Sequence, residues 1–505
     1  SLRVSVSWGV KLSGSEAFGP QSPSNFLMAR SFYLTTTLPY VNADPHIGFA
    51  LEIVHADIIA RHRRLLGDEV FFNTGTDEHG LKIYRAAQKE GKEPQAYVDE
   101  YAARFERLKE ALTLSYDNFV RTTDLPHQKA AQEFWKRCDE SGDIYKKQYK
   151  IKYCVGCELE KTDSELAHGK CSIHPNFELE IIEEENYFFR FSKYQELLLE
   201  LYKKQPDLVI PHSRFNEVKA FVERGLEDFS ISRLKEKMPW GIPVPGDDAH
   251  VMYVWFDALI NYISAVGWPE DLEKFEKWWP VVQFAGKDQV RQQAAMWQAM
   301  LYSAKLPPSK QIVIHGFITS GGQKMSKSLG NVVDPFTLVE EYGTDAVRYY
   351  LARHAHPFED SDFTMERFKE VYNANLANGL GNLVSRVMQM ATAHLKNPVE
   401  MTQETQPDTD VAAHTEAFEL NRAMDSIWER IGHDDVLIAI KKPFVGVGSD
   451  EASVRDEALS VIKKLVRELY AIAIELEPFM PETSEKIKSA VKANKKPERL
   501  FPRKE

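Results

Sequence analysis

Two short runs carry residues suited to handling phosphate. In "PHIGF" (45–49), His46 can donate a ring N–H to a phosphate oxygen, and Gly48 removes a side chain where a nucleotide would approach. In "GGQKMSKSLGN" (321–331), Lys324 and Lys327 stand among glycines and serines. Two such lysines can neutralise a polyphosphate whose charge changes during a reaction. The chain has a formal net charge of −12, yet no Asp or Glu occurs from Gln289 to Val333, where five Lys or Arg do. Each run has a plainer reading. His46 alone is a helix-capping residue, and a generic two-lysine stretch is a solvated loop. Neither GxGxxG nor a Walker A loop is present, so the common nucleotide motifs offer no alternative.

A third set is Cys154-x2-Cys157-x13-Cys171-x2-His174. Two short-spaced pairs of thiolate and imidazole donors suit a tetrahedral Zn²⁺ site. Three thiolates and one imidazole leave no open position, so the expected site is structural. Cys138, the remaining cysteine, reads as a buried apolar residue. Four cysteines make no disulfide framework, and their clustering suits a reducing compartment.

The elements that must position these residues alternate. "SFYLTTTLPY" (31–40) reads as a buried strand that breaks at Pro39. Residues 46–67 have helical apolar spacing, arginines near the end and a stop at Gly67. Further strands are expected at 68–80, 118–123, 281–286 and 311–316, with a helix over 289–304. Such alternation implies a parallel, doubly wound sheet. A charged, cysteine-bearing stretch interrupts it, and the pattern after Asp334 is helical. The expected organisation is a leader or non-native extension (1–30), then the first half of a Rossmann-like α/β core (31–143). A connective insertion with the zinc knuckle (144–232) and the second half of the core (233–317) follow. The lysine loop with a stem-contact segment (318–371) leads to a helical domain (372–505). Of 505 residues 43% are hydrophobic and 27% charged, which suits a globular chain with a real core. A pI near 5.8 argues against binding nucleic acid through bulk charge, though not against a local basic groove. No run of about eighteen apolar residues suggests a membrane span.

Together these features are similar to the methionyl-tRNA synthetase family of class I aminoacyl-tRNA synthetases. Long stretches carry the resemblance: "LPYVNADPHIG", "NTGTDEHG", "YVWFDALINY", "FAGKD", "HGFITSGGQKMSKSLGN", "YGTDAVRYYL" and "NLANGLGNLVSR". It covers the chain from about Met28 onward. The resemblance implies a Rossmann core with a zinc-bearing insertion and an all-α anticodon-binding bundle. It implies that L-methionine and ATP, with its Mg²⁺, form methionyl-adenylate, and that tRNA(Met) then takes the methionyl group. By position, His46, Gly48, Lys324 and Lys327 would face ATP. Asp77 would take the substrate ammonium, and Leu38, Tyr40, Trp255, Ala258, Tyr262 and Gln293 would wall the methionine pocket. Asn382, Arg386 and Phe444 match anticodon-reading positions, and Cys154, Cys157, Cys171 and His174 match the metal ligands. Without the resemblance, Asp77 reads as a turn residue, the aromatics as core and the last three as a helix surface.

Two departures stand out. Phe49 occupies the position where the family usually has a second His. Gln289 and Gln293 occur where an aliphatic residue and a His are usual, and a polar group buried without a partner costs about 1–3 kcal/mol. Rival readings are a class I synthetase for another amino acid, a tRNA-binding relative without catalysis and a generic adenylate-forming ligase. In the family an appended oligonucleotide-binding barrel often supplies dimerisation, and none follows "LFPRKE", so a monomer is expected; the expected location is cytoplasmic.

Overall fold

The computed structural model describes residues 30–156, 159–161, 166–167, 169–325, 330–401 and 409–505. The elements that position the site are, in chain order, β1 (Ser31–Thr35), α1 (Ile47–Leu65), β2 (Glu69–Thr76), β3 (Asn118–Arg121) and α2 (Leu125–Glu140). Next come β4 (Ile144–Cys154), β5 (Glu180–Phe189), β6 (Val209–Ile210), α3 (Val254–Ala258), β7 (Val282–Gly286) and β8 (Gln311–His315). The C-terminal helices used below are α4 (Thr344–Arg353), α5 (Gly381–His394), α6 (Leu420–Lys441) and α7 (Ala452–Leu476).

The main sheet has the order β3-β2-β1-β7-β8-β6, and every pairing in it is parallel. Alternation along the strands splits the core between its two faces. On β1, Phe32 and Leu34 pack on the side of α1, while Tyr33 packs on the other. On β8, Val313 joins the first side and Ile312 and Ile314 the second. With both faces covered, the strands read as apolar runs, as parallel sheets require. Helix α1 is buried along nearly its whole length and ends with His62, Arg63 and Arg64 in its last turn, where cations favour the helix dipole. Gly67 follows at φ 88°, a left-handed turn that glycine allows without strain.

The long antiparallel ribbon of β4 and β5 runs in register from Ile144↔Phe189 to Tyr153↔Glu180. Beyond the sheet the chain is helical, and its core is continuous with the α1 side. A buried ion pair fastens the two. Arg348 of α4 bonds Asp57 of α1 at 2.8 Å, and neither side chain is exposed. The same guanidinium donates to the carbonyls of Leu112, Pro478 and Phe479. Burial pushes the Asp57 carboxyl up, but Arg348 and Arg61 more than reverse this and hold it below its ordinary value. Because each nitrogen of Arg348 has an acceptor, the pair avoids much of the cost of a buried charge.

Candidate active site

A cleft of about 320 Å³ opens at the carboxyl ends of β1, β7 and β8, where open parallel sheets take ligands. Leu38, Tyr40, His46, Gly48, Asp77, Trp255, Ala258, Tyr262 and Gln293 all line it, together with Phe49 and Gln289. These residues come from loops and helix ends far apart in the chain, and the sheet topology brings them to one rim.

His46 turns out to be both cap and candidate ligand. It is the N-cap of α1, and its Nδ1 accepts the Gly48 N–H at 3.1 Å. In the neutral ring the proton then sits on Nε2, the nitrogen that can donate. Gly48 is required for a nearer reason than nucleotide approach. A Cβ there would stand 2.9 Å from His46 Cε1. Phe49 packs edge-on against Phe105, with ring centroids 5.3 Å apart. Asp77 is nearly buried, and its backbone is tied to the loop after β1: its N–H donates to Pro39 O at 3.0 Å and its C=O accepts from Val41 N at 3.3 Å.

The glutamine departures resolve into a hydrogen-bonded wall. Gln293 Oε1 accepts from Gln283 Nε2 at 2.8 Å. Gln293 Nε2 donates to Tyr262 Oη at 2.8 Å and to Gln289 Oε1 at 3.3 Å. Gln283 Oε1 accepts in turn from Ser309 Oγ, which is held by Gln298 Nε2 at 3.0 Å. Residues 292–296 form a single π turn, a local widening of a kind common at functional sites. Burial pushes the Tyr262 hydroxyl well above its ordinary range, so it keeps its proton and can donate it.

The cleft also holds residues that the sequence reading missed. Glu52 Oε1 accepts from Thr37 N at 2.6 Å and Thr37 Oγ1 at 2.7 Å, and its Oε2 lies 2.7 Å from His315 Nε2. His315 Nδ1 lies 2.7 Å from Gly316 O. With an acceptor at each ring nitrogen, His315 is built to be an imidazolium. Burial lowers its affinity for a proton, but the bonds to Glu52 and Gly316 leave it above its ordinary value. The available signal was an acid in the first turns of a helix whose apolar residues point to burial all round.

Other predicted residues lie elsewhere. Lys324 is in a two-residue strand paired with Ile318–Ser320, and its neighbour Met325 lines the cleft. Lys327 lies outside the described residues, as does Cys157. Cys154, Cys171 and His174 place their ligand atoms within 4.8 Å of one another. The turn between them is tight, since a Cβ at Gly156 would stand 2.6 Å from His174 Cγ. Two buried sulfurs and one imidazole at this separation fit three corners of a zinc tetrahedron, whose Zn–S bonds are about 2.3 Å. Asn382 and Arg386 are one turn apart on α5. Arg386 pairs with Asp435 of α6 at 2.9 Å, and Phe444, just past the end of α6, is 54% exposed.

Similarity to known proteins covers most of the chain. A family model described as tRNA synthetases class I (M) matches residues 32–176 and 157–388. The chain is 50% identical over 382 residues to a methionine–tRNA ligase of Thermosynechococcus vestitus, covering 74% of this chain and 72% of that protein. A methionine–tRNA ligase of Thermotoga maritima is 42% identical over 482 residues, covering 92% and 76%. The crystal structure of Mycobacterium tuberculosis methionyl-tRNA synthetase bound by methionyl-adenylate superposes with a TM-score of 0.86 at 35% identity, over 94% of this chain and 99% of that one.

Proposed function

The chain belongs to the methionyl-tRNA synthetase family of class I tRNA synthetases, and from that premise we propose that its cleft activates L-methionine with ATP and charges tRNA(Met). The observation that carries this is the convergence of Asp77, Trp255, Tyr262 and His46 on one cleft of about 320 Å³, a size suited to a small ligand. In the first step a methionine carboxylate oxygen attacks the α-phosphorus, and pyrophosphate leaves with the electrons of the broken P–O bond. In the second, a hydroxyl of the terminal tRNA ribose attacks the adenylate carbonyl and AMP leaves.

Asp77 takes the ammonium group. Tyr262 directs its remaining O–H toward the thioether, while Trp255, Leu38 and Ala258 wall the side chain. His46 Nε2–H, Lys324 and Lys327 stabilise charge on the phosphates, so catalysis is positioning and electrostatics with no covalent enzyme intermediate. Mg²⁺ arrives with ATP. Cys154, Cys171 and His174, with Cys157, would hold one Zn²⁺, whose role would be to cross-link the knuckle. Asn382, Arg386 and Phe444 form the anticodon face, where polar groups and a ring meet splayed bases. No helix among the described residues is long and apolar enough to cross a membrane.

The test is ATP–pyrophosphate exchange across all twenty amino acids without tRNA. Exchange with methionine alone is expected. Exchange with another amino acid would overturn the substrate and point to Gln289 and Gln293.

A further inference from the structure

Behind the amino-acid end of the cleft lies a group that does not line it. Asp257 of α3 is completely buried. Its two carboxylate oxygens are taken by two histidines: Oδ2 lies 2.6 Å from His79 Nδ1 and Oδ1 lies 2.7 Å from His127 Nε2. Both rings are also buried. His127 Nδ1 continues to Ser264 Oγ at 3.0 Å, in the segment just after Tyr262. Burial pushes the Asp257 carboxyl up, and the two histidines more than reverse this, leaving a carboxylate. A carboxylate accepts from both rings even when each is neutral, with the proton on Nδ1 of His79 and on Nε2 of His127.

The three anchored segments are the reason to look further than packing. His79 lies two residues after Asp77, in a loop whose Glu78 is also held by Thr122 and Arg121 on the side of β3 and by Trp240, which donates to Glu78 O and accepts from Gly80 N. Asp257 shares α3 with Trp255 and Ala258, which line the cleft. His127 is in the first turns of α2, a helix of the rigid core. We propose that Asp257 is a positioning residue for methionine: its carboxylate, bridged to His79 and His127, fixes the loop bearing Asp77 against the helix bearing Trp255 and Ala258. The proposal rests on the reading that this cleft takes methionine.

A displacement of about 1 Å at a reacting group can cost up to about a hundredfold, so loss of the bridge should be felt through groups that Asp257 never touches. Nothing in the bridge reaches the phosphate end, where His46 and His315 sit on other elements. The expected signature is therefore selective for the amino acid.

The experiment is methionine-dependent ATP–pyrophosphate exchange with the full chain, measured for Asp257→Asn, His79→Ala and His79→Asn. Asn keeps a donor where His79 Nδ1 stands, and Ala does not. Asp257→Asn and His79→Ala should raise KM for methionine about tenfold and leave KM for ATP within about twofold. His79→Asn should return most of the methionine affinity. An unchanged KM for methionine in folded Asp257→Asn would overturn the proposal, as would an equal loss for both substrates. If Asp257→Asn does not fold, the two His79 variants decide: equal behaviour of Ala and Asn overturns it. Wild-type protein that shows no exchange with methionine would instead defeat the underlying assignment of the cleft.

Discussion

The amino-acid end of the cleft and the outer face of the helical bundle use similar polar residues in opposite settings. In the cleft, Gln293 is buried and its amide is committed on both sides, to Gln283 and to Tyr262. On the bundle, Asn382 is exposed, Phe444 is mostly in solvent and Arg386 is joined to Asp435 at a half-exposed site. On the function proposed above, the difference follows from what each would recognise. One methylene in an apolar pocket discriminates by only about 1–3 kcal/mol, so a pocket for a thioether must have its polar groups placed beforehand. A surface that meets RNA can leave its groups hydrated, because splayed bases bring their own stacking faces and hydrogen-bonding edges.

If the two regions are separable in this way, substitutions should sort cleanly by assay. The largest effect is expected at Lys327→Ala, whose proposed role is toward the phosphates of ATP and not toward either recognition region. Exchange should fall about 10²–10³-fold. The methionine titration of tryptophan fluorescence should keep its midpoint, and an equal loss of methionine binding would contradict the assigned role. Next is Gln293→Leu, which strips partners from Gln283 and Tyr262 inside the wall. A cost of roughly 2 kcal/mol should appear as a lower melting temperature and as a KM for methionine raised about thirtyfold. A Leu variant as stable and selective as the parent would show that the hydrogen-bonded wall is ornament. Smaller still, Arg386→Gln should lower tRNA charging about fivefold while leaving exchange intact, since only an exposed pair is altered. Reduced exchange in that variant would break the separation outright.

Much of this was legible in the chain itself, for identifiable reasons. Strands β1, β7 and β8 were readable because a parallel sheet buried on both faces needs continuous apolar runs, and "VVQFAG" and "QIVIHG" are such runs. The edge strand β6 was not: Val209 and Ile210 alone carry no period, and their pairing with β8 is a tertiary event. The helix expected over 289–304 exists only in part, because the chain passes through a π turn at Gln292–Met296 before regular helix resumes at Trp297. Sequence spacing could flag the glutamines as misplaced polarity. It could not supply Gln283 and Ser309, whose neighbourhood to Gln293 depends on how β7 packs. Glu52 and His315 were overlooked for the same reason, since each looks like an ordinary polar residue until the other is placed beside it.

That pair offers the smallest and most specific test at the cleft. His315 holds its proton more tightly than an ordinary histidine because Glu52 and the Gly316 carbonyl accept from it. A group whose folded pKa is raised stabilises the fold fully below its unfolded value, here 6.5, and loses that contribution as pH rises through the folded value. The neighbouring His55 behaves oppositely. Its proton affinity is lowered to about 4, mainly by burial, with the charge of His315 adding to it, so it stays neutral throughout this window. In His315→Gln the Glu52 carboxylate keeps a donor but loses the charge. The stability advantage of the parent over this variant should therefore be largest below pH 6.5 and shrink as pH rises through the raised folded value. Paired melting curves across that range measure it directly. An advantage that grows with pH would mean that the ring is neutral in the folded protein, and that the cleft is braced by hydrogen bonds alone, as its glutamine wall is.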